Sequence, residues 1–171
     1  MSRHQTYMEE ALTEAAAALA RGEFPVGCVI VHQGRVVARG RRQQSGGQAP
    51  LPVNEVDHAE VLALRDLLHN HPEISPSEVT VYATLEPCLM CYATLLISGV
   101  HTIVYAYEDA MGGGTTLPLD QLRPLYRGME IEVIPHILRE RSLHLFKQFF
   151  KASGNPYLGD TLLAEYTLAQ G

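Results

Sequence analysis

The sequence predicts an α/β fold, a sandwich of helices around one sheet. Short apolar runs of strand length alternate with segments of helical period. Glycines and prolines punctuate the joins between them. The chain has 171 residues, 46% hydrophobic and 19% charged, which is enough to bury one sizeable core.

The elements follow in order. Residues 4–21 are alanine-rich and read as a helix stopped by Gly22. Residues 25–32 and 35–39 are apolar runs separated by Gln33-Gly34, a hairpin signal. Residues 43–56 hold Gly46, Gly47, Pro50 and Pro52 and read as a mobile loop leading into a site. Residues 58–69 place Val61, Leu62, Leu64, Leu67 and Leu68 at helical spacing. A strand over 79–84 precedes a helix over 88–98, ended by Gly99. A strand over 101–107 runs into the turn-rich segment 108–114. Residues 130–134 read as a last strand and 138–151 as a last helix. No internal repeat is visible. One domain over 1–171 is expected, with 152–171 as a C-terminal extension.

Two short motifs carry chemistry: His58-Ala59-Glu60 and Pro87-Cys88-Leu89-Met90-Cys91. They supply three zinc ligands, His58, Cys88 and Cys91, and one carboxylate, Glu60, that the metal does not need. Three ligands leave a fourth tetrahedral position for water, as in catalytic rather than structural zinc sites. A neutral imidazole and two thiolates balance Zn²⁺, and water at the open position has its pKa lowered to roughly 7. Cys88 and Cys91 are three apart, on one face of a helix. Pro87 suits a helix start, where thiolates are favoured. Glu60 is placed to take a proton from that water, pass it to a ring nitrogen and then protonate a leaving amine. The reaction is hydrolytic deamination: hydroxide attacks an amidine-like carbon and ammonia leaves.

Each motif alone has a plainer meaning. Cys-x-x-Cys also serves redox pairs and half-sites of structural zinc. A structural site needs a fourth ligand, and the remaining cysteine, Cys28, lies in the apolar run 26–31, where a buried free thiol is the default. Three cysteines argue against a disulfide framework and fit a reducing cytoplasm. No apolar run reaches membrane-span length, and no apolar signal segment follows Met1, so a cytoplasmic protein without membrane partners is expected. The net charge of −6 is unlike that of most nucleic-acid binders. Arg35, Arg39, Arg41 and Arg42 form the clearest basic cluster, read either as a binding patch or as a solvated strand surface. The stretch after Lys151 contains Asp160 and Glu165 and no Lys or Arg.

From about residue 7 to residue 150 the chain resembles the cytidine deaminase-like superfamily. Within it, the chain is most similar to the branch of tRNA wobble-adenosine, guanine and cytosine deaminases. The resemblance rests on Phe24-Pro25-Val26-Gly27, Asp57-His58-Ala59-Glu60-Val61 and Thr84-Leu85-Glu86-Pro87-Cys88-Leu89-Met90-Cys91. It implies a three-layer α/β/α sandwich around a five-stranded mixed sheet, one zinc per subunit and a homodimer. It also implies that His58, Cys88 and Cys91 bind zinc and that Glu60 shuttles protons. The backbone around Gly27 and Pro87 is then expected to line the base pocket, with Phe24 and Leu85 packing on the base.

Three departures stand out. Arg42 occupies the place after the second strand where tRNA deaminases tend to carry an Asn. An Arg there grips phosphate or a carbonyl oxygen and cannot accept a hydrogen bond. The loop 43–56 is longer than expected for tRNA deaminases. Asp57 precedes the zinc histidine and is expected to cap the next helix, or else to orient a ligand. The C-terminal extension is expected to cover the site, pack on a partner or form a surface tail. Three functional readings follow. The first is a zinc deaminase of a free base, nucleoside or nucleotide, favoured by acidic charge, Arg42 and the long loop. The second is a tRNA adenosine-to-inosine deaminase, favoured by the motifs. The third is a zinc-stabilised scaffold without catalysis, disfavoured by Glu60 and the open zinc position.

Overall fold

The computed structural model describes residues 1–46, 52–152 and 156–171. Gly47 and Pro50 of the expected loop lie outside them. The chain runs α1 (Arg3–Leu19), β1 (Gly27–His32), β2 (Arg35–Arg41), α2 (Ala59–Asn70), β3 (Val79–Leu85), α3 (Leu89–Ile97), β4 (Thr102–Tyr107), α4 (Pro124–Arg127), β5 (Glu132–Ile134), α5 (Arg139–Lys151) and α6 (Leu162–Ala169). The five strands form one mixed sheet in the order β2-β1-β3-β4-β5. β1 is antiparallel to both β2 and β3, while β3, β4 and β5 are parallel. This is the sandwich that the sequence predicts.

Local sequence explains most boundaries. Ser2 caps α1 in a reciprocal box with Gln5, and Met8, Ala11, Leu12, Ala15 and Ala18 form its buried stripe. Gln33 and Gly34 both adopt positive φ, the geometry of a tight two-residue hairpin. β1 starts two residues later than expected, because Pro25 has no N–H and the amide of Val26 closes a turn onto the carbonyl of Phe24. β2 runs two residues longer than expected, since Gly40 and Arg41 still pair with Cys28 and Gly27. The last strand is shorter than expected, pairing only Glu132, Val133 and Ile134 with β4.

The central strands alternate between two cores. Val29, Val31, Tyr82, Val104 and Ala106 face α1. Cys28, Ile30, Val81, Leu85, Ile103 and Tyr107 belong to the larger core with α2, α3 and the aromatic face of α5. Two glycines let helices close on the sheet. A Cβ on Gly27 would lie 2.2 Å from the carbonyl oxygen of Ala11 in α1, and one on Gly40 would lie 2.0 Å from that of Ala59 in α2.

The C-terminal segment packs on the core. Thr161 caps α6, whose Leu163, Ala164 and Thr167 are buried. Thr167 Oγ1 meets Tyr107 Oη at 3.0 Å inside the core. Glu108 accepts hydrogen bonds from Arg139 Nε at 2.8 Å and from Tyr166 Oη at 2.7 Å, with His136 Nδ1 at 3.4 Å. Lys147 Nζ donates to the carbonyl of Gln170 at 2.8 Å. Burial alone would raise the Glu108 carboxyl, but the hydrogen bonds from Arg139 and Tyr166 outweigh it and hold it at about 2.

Two outcomes are expected. Gly40→Ala forces α2 off the sheet and costs about 1–3 kcal/mol or more in urea unfolding; unchanged stability would mean that α2 can shift without loss. A depressed carboxylate stabilises the fold above its unfolded-state value and loses that contribution as pH falls through its folded value. The α6 amides should therefore keep their hydrogen-exchange protection down to about pH 4.5 and lose it as pH falls towards 2. Glu108→Gln should weaken that protection at neutral pH and remove this acid transition.

Candidate active site

Two helix N-termini converge on the motifs. His58 is the N-cap of α2 and Cys88 the N-cap of α3, both with extended backbone and neither using its side chain as a cap. Cys91 lies in the first turn of α3 and Glu60 in the first turn of α2. The positive ends of both helix dipoles therefore face the thiolates and the carboxylate. Cys88 is fixed from behind as well: it bridges Gly113, and the carbonyl of Pro87 accepts the amide of Gly114 at 2.9 Å.

The donor geometry fits zinc. His58 Nδ1 lies 3.5 Å from Cys88 Sγ and 3.5 Å from Cys91 Sγ. A tetrahedral zinc with ordinary Zn–N and Zn–S bonds sets these donors about 3.6 Å apart. The three donor atoms all fall within 4.8 Å of one another, and among the described residues they form the sole such cluster. The hydrogen bond from Cys91, and then that from His58, pull the Cys88 thiol down to about 4, while Cys91 is pushed up. Zinc takes both sulfurs as thiolates, so binding releases the protons they carry. Cys28 is no part of the cluster. It is wholly buried in β1, burial keeps its thiol protonated, and it is the free core cysteine that the sequence predicts.

Glu60 is 3% exposed, with Oε2 at 3.5 Å from Cys91 Sγ. Burial, followed by the negative Cys88, raises its carboxyl above the ordinary range. Glu60 thus stands beside the ligand cluster with a raised affinity for protons.

A cavity of about 210 Å³ opens onto His58, Glu60 and Cys88. Phe24 and Leu85 line it as expected. Phe24 is wedged edge-on against Phe146, Phe149 and Tyr157 at centroid distances of 5.1, 5.3 and 5.4 Å. Gly27 does not line it, because β1 turns that position towards α1 and its amide donates to Thr84 Oγ1. Pro87 does not line it either; the neighbouring Glu86 and Cys88 do. Arg42 lines the cavity yet is 2% exposed, so it is no solvated surface residue. Its Nη1 donates to the carbonyls of Gln43 and Asn54, and its Nη2 to Glu55 Oε2 at 3.0 Å and Tyr157 Oη at 3.2 Å. Asp57 does not cap α2. Its carboxylate accepts from Arg65 Nη1 at 2.8 Å and Asn54 Nδ2 at 2.9 Å, which closes the loop onto the helix.

Among the lining residues that sequence reasoning missed are Glu55, Asp109, Tyr157, Leu158 and Leu163. Tyr157, Leu158 and Leu163 come from the C-terminal extension, which settles its place as a wall of the cavity. Glu55 and Asp109 sit in polar, turn-rich stretches where acidic residues ordinarily mean surface. The turn glycines after Asp109 were the one available signal: its Oδ1 accepts the amides of Met111 and Gly112.

The family model for the cytidine and deoxycytidylate deaminase zinc-binding region matches residues 1–107. A tRNA-specific adenosine deaminase of Bacillus subtilis is 29% identical over 151 residues, 88% of this chain and 91% of that one. A structure from a study of A-to-I editing by tRNA:A34 deaminases superposes with a TM-score of 0.65 at 27% identity, covering 82% of this chain and 98% of that one. A guanine deaminase from Nitrosomonas europaea superposes with a TM-score of 0.65 at 20% identity over 85% of this chain and 83% of that one, a likeness of fold. No helix among the described residues is long and apolar enough to cross a membrane. A matched zinc-binding region, three donors at zinc spacing and a buried carboxylate beside them agree: the chain belongs to the cytidine and deoxycytidylate deaminase zinc-binding family and is a zinc-dependent hydrolase that cleaves the C–N bond of cyclic amidines.

Proposed function

We propose that the chain deaminates a free nucleobase or its nucleoside, with His58, Cys88 and Cys91 as zinc ligands and Glu60 as proton shuttle. The observation that carries this reading is the wall that the C-terminal segment adds to the cavity. Tyr157, Leu158 and Leu163 fold back over the site and leave about 210 Å³, below the roughly 300–1,000 Å³ of pockets for drug-sized ligands. The lining charge points the same way. Glu55, Glu60, Glu86 and Asp109 face one arginine, Arg42, whose terminal nitrogens are already engaged. A phosphate entering that site meets carboxylates rather than free cations, whereas N–H groups of a base find acceptors. This weighs against the nucleotide among the substrates that the sequence suggests.

Zinc in such a site polarises water towards hydroxide near neutral pH. Glu60 takes the proton of the attacking water and passes it to the ring nitrogen beside the reacting carbon. It then takes the proton of the hydroxyl added to that carbon and delivers it to the amine, which leaves as ammonia as the C–N bond breaks and the carbonyl forms. Phe24 and Leu85 pack on the ring. The homodimer implied by the resemblance belongs to the same proposal, and the exposed Leu89 and Ile97 of α3 support it. So does a reducing, cytoplasmic setting, which keeps Cys88 and Cys91 as thiols.

A second reading, deamination of the wobble adenosine in tRNA, is favoured by the 29% identity to the Bacillus subtilis enzyme. Ammonia release by the zinc-loaded protein separates the two. The substrates are adenine, guanine and cytosine, their nucleosides and monophosphates, and an anticodon stem-loop with adenosine at the wobble position. Turnover of a base or nucleoside with none on the stem-loop is expected; turnover on the stem-loop alone would establish the second reading. Glu60→Ala should keep its zinc and lose about 10²–10⁴-fold in kcat. Loss of zinc in that variant would make Glu60 a structural residue.

A further inference from the structure

His58 presents Nδ1 to both sulfurs, so when Nδ1 holds the zinc the imidazole proton is carried on Nε2. That nitrogen is buried and has no hydrogen-bond partner among the described residues. Metal-binding histidines almost always donate their second N–H to a carboxylate, a carbonyl or water, which fixes the ring and strengthens the ligand. Glu55 Oε2 stands 3.7 Å from His58 Nε2. The separation lies just beyond hydrogen-bond range.

Glu55 is not a random surface carboxylate, although its side chain is 59% exposed. Its Oε2 accepts from Arg42 Nη2 at 3.0 Å and from Tyr157 Oη at 3.0 Å. The Arg42 guanidinium lies over the Tyr157 ring, 5.7 Å from its centroid. Arg42 in turn is tied by Nη1 to the backbone of residues 43 and 54 and by its amide to the carbonyl of Val26 at 2.8 Å. The oxygen aimed at the histidine is therefore held from two sides, once from the rigid end of β2 and once from the C-terminal segment. Asp57, the nearer acidic residue in sequence, is spent on Arg65 and Asn54.

We propose that Glu55 is the positioning residue of the zinc ligand His58, and that Arg42 and the C-terminal Tyr157 hold it in place. The inference rests on the zinc site alone and is independent of which amine is released. Its consequence is that the segment walling the cavity also supports the metal ligand: withdrawing Tyr157 loosens Glu55 and, through it, the imidazole.

The test is zinc affinity of the full chain, measured by competition with a chromophoric chelator. Glu55→Ala should bind zinc about 10–100-fold more weakly. Glu55→Gln keeps an oxygen that accepts a hydrogen bond and should stay within about threefold of the unaltered protein. Tyr157→Phe should fall between them. Circular-dichroism melts of the zinc-loaded proteins report folding separately. The proposal is overturned if folded Glu55→Ala binds zinc as tightly as the unaltered chain, or if Glu55→Gln is as weak as Glu55→Ala. Unchanged affinity in Tyr157→Phe would overturn the link to the C-terminal segment.

Discussion

The structure depends on the meeting of two helix N-termini. α2 and α3 each begin at a metal donor, His58 and Cys88, and the amide dipoles of both first turns point at the site. Those ends are electropositive, which suits two sulfurs and the Glu60 carboxylate packed within a few ångströms. Bringing like-charged ends together is costly unless anions lie between them, so the chemistry of the site and the packing of the helices are one problem. The sheet sets the distance. α2 lies against β2 through Gly40, and α3 follows directly from β3, whose parallel partner β4 supplies the loop that backs Cys88.

Around that centre the walls come from distant parts of the chain. Phe24 lies before β1, Leu85 ends β3, Asp109 follows β4, and Tyr157, Leu158 and Leu163 come from the last sixteen residues. The first three sit at strand ends, where α/β sheets place their sites. The C-terminal wall is different, since it is held by contacts that do not involve the sheet ladder. Thr167 against Tyr107 and the Glu108–Arg139–Tyr166 cluster fix α6 at its far end. Tyr157 fixes the segment beside the zinc ligands. A wall anchored at both ends defines a small chamber rather than an open groove.

The fold was legible because its signals are local and redundant. The period of 61–68, the hairpin at Gln33-Gly34 and the apolar runs of β1, β3 and β4 are local signals, and the zinc donors stand out once the two motifs are taken together as a known deaminase signature. Side-chain direction within a motif was less legible. Gly27 belongs to a motif whose neighbours line the cavity, yet the period of two turns it to the opposite face, towards α1. Asp57 looked like a helix cap, but α2 starts on His58 and Asp57 finds Arg65 two turns along. Tyr157 and Leu163 carried no signal, because an aromatic and a leucine after the last predicted helix look the same on a tail as in a wall. Contacts between residues a hundred positions apart, such as Glu55 with Tyr157, have no period to betray them.

Arg42 shows how burial changes the meaning of a charge. In sequence it belongs to a cluster of four arginines, three of which stay at least partly exposed in β2. One residue past the strand, the backbone carries Arg42 inward, where a guanidinium must be met on every side or not buried at all. It is met by two carbonyls, one carboxylate and one aromatic face. These partners come from two segments outside the sheet, the loop before α2 and the stretch before α6. Each partner lost leaves the buried charge less satisfied, so the two segments hold Arg42 together or not at all. A single buried arginine thereby ties the walls of the cavity to the end of β2 and gives an irregular region the rigidity that the sheet gives elsewhere.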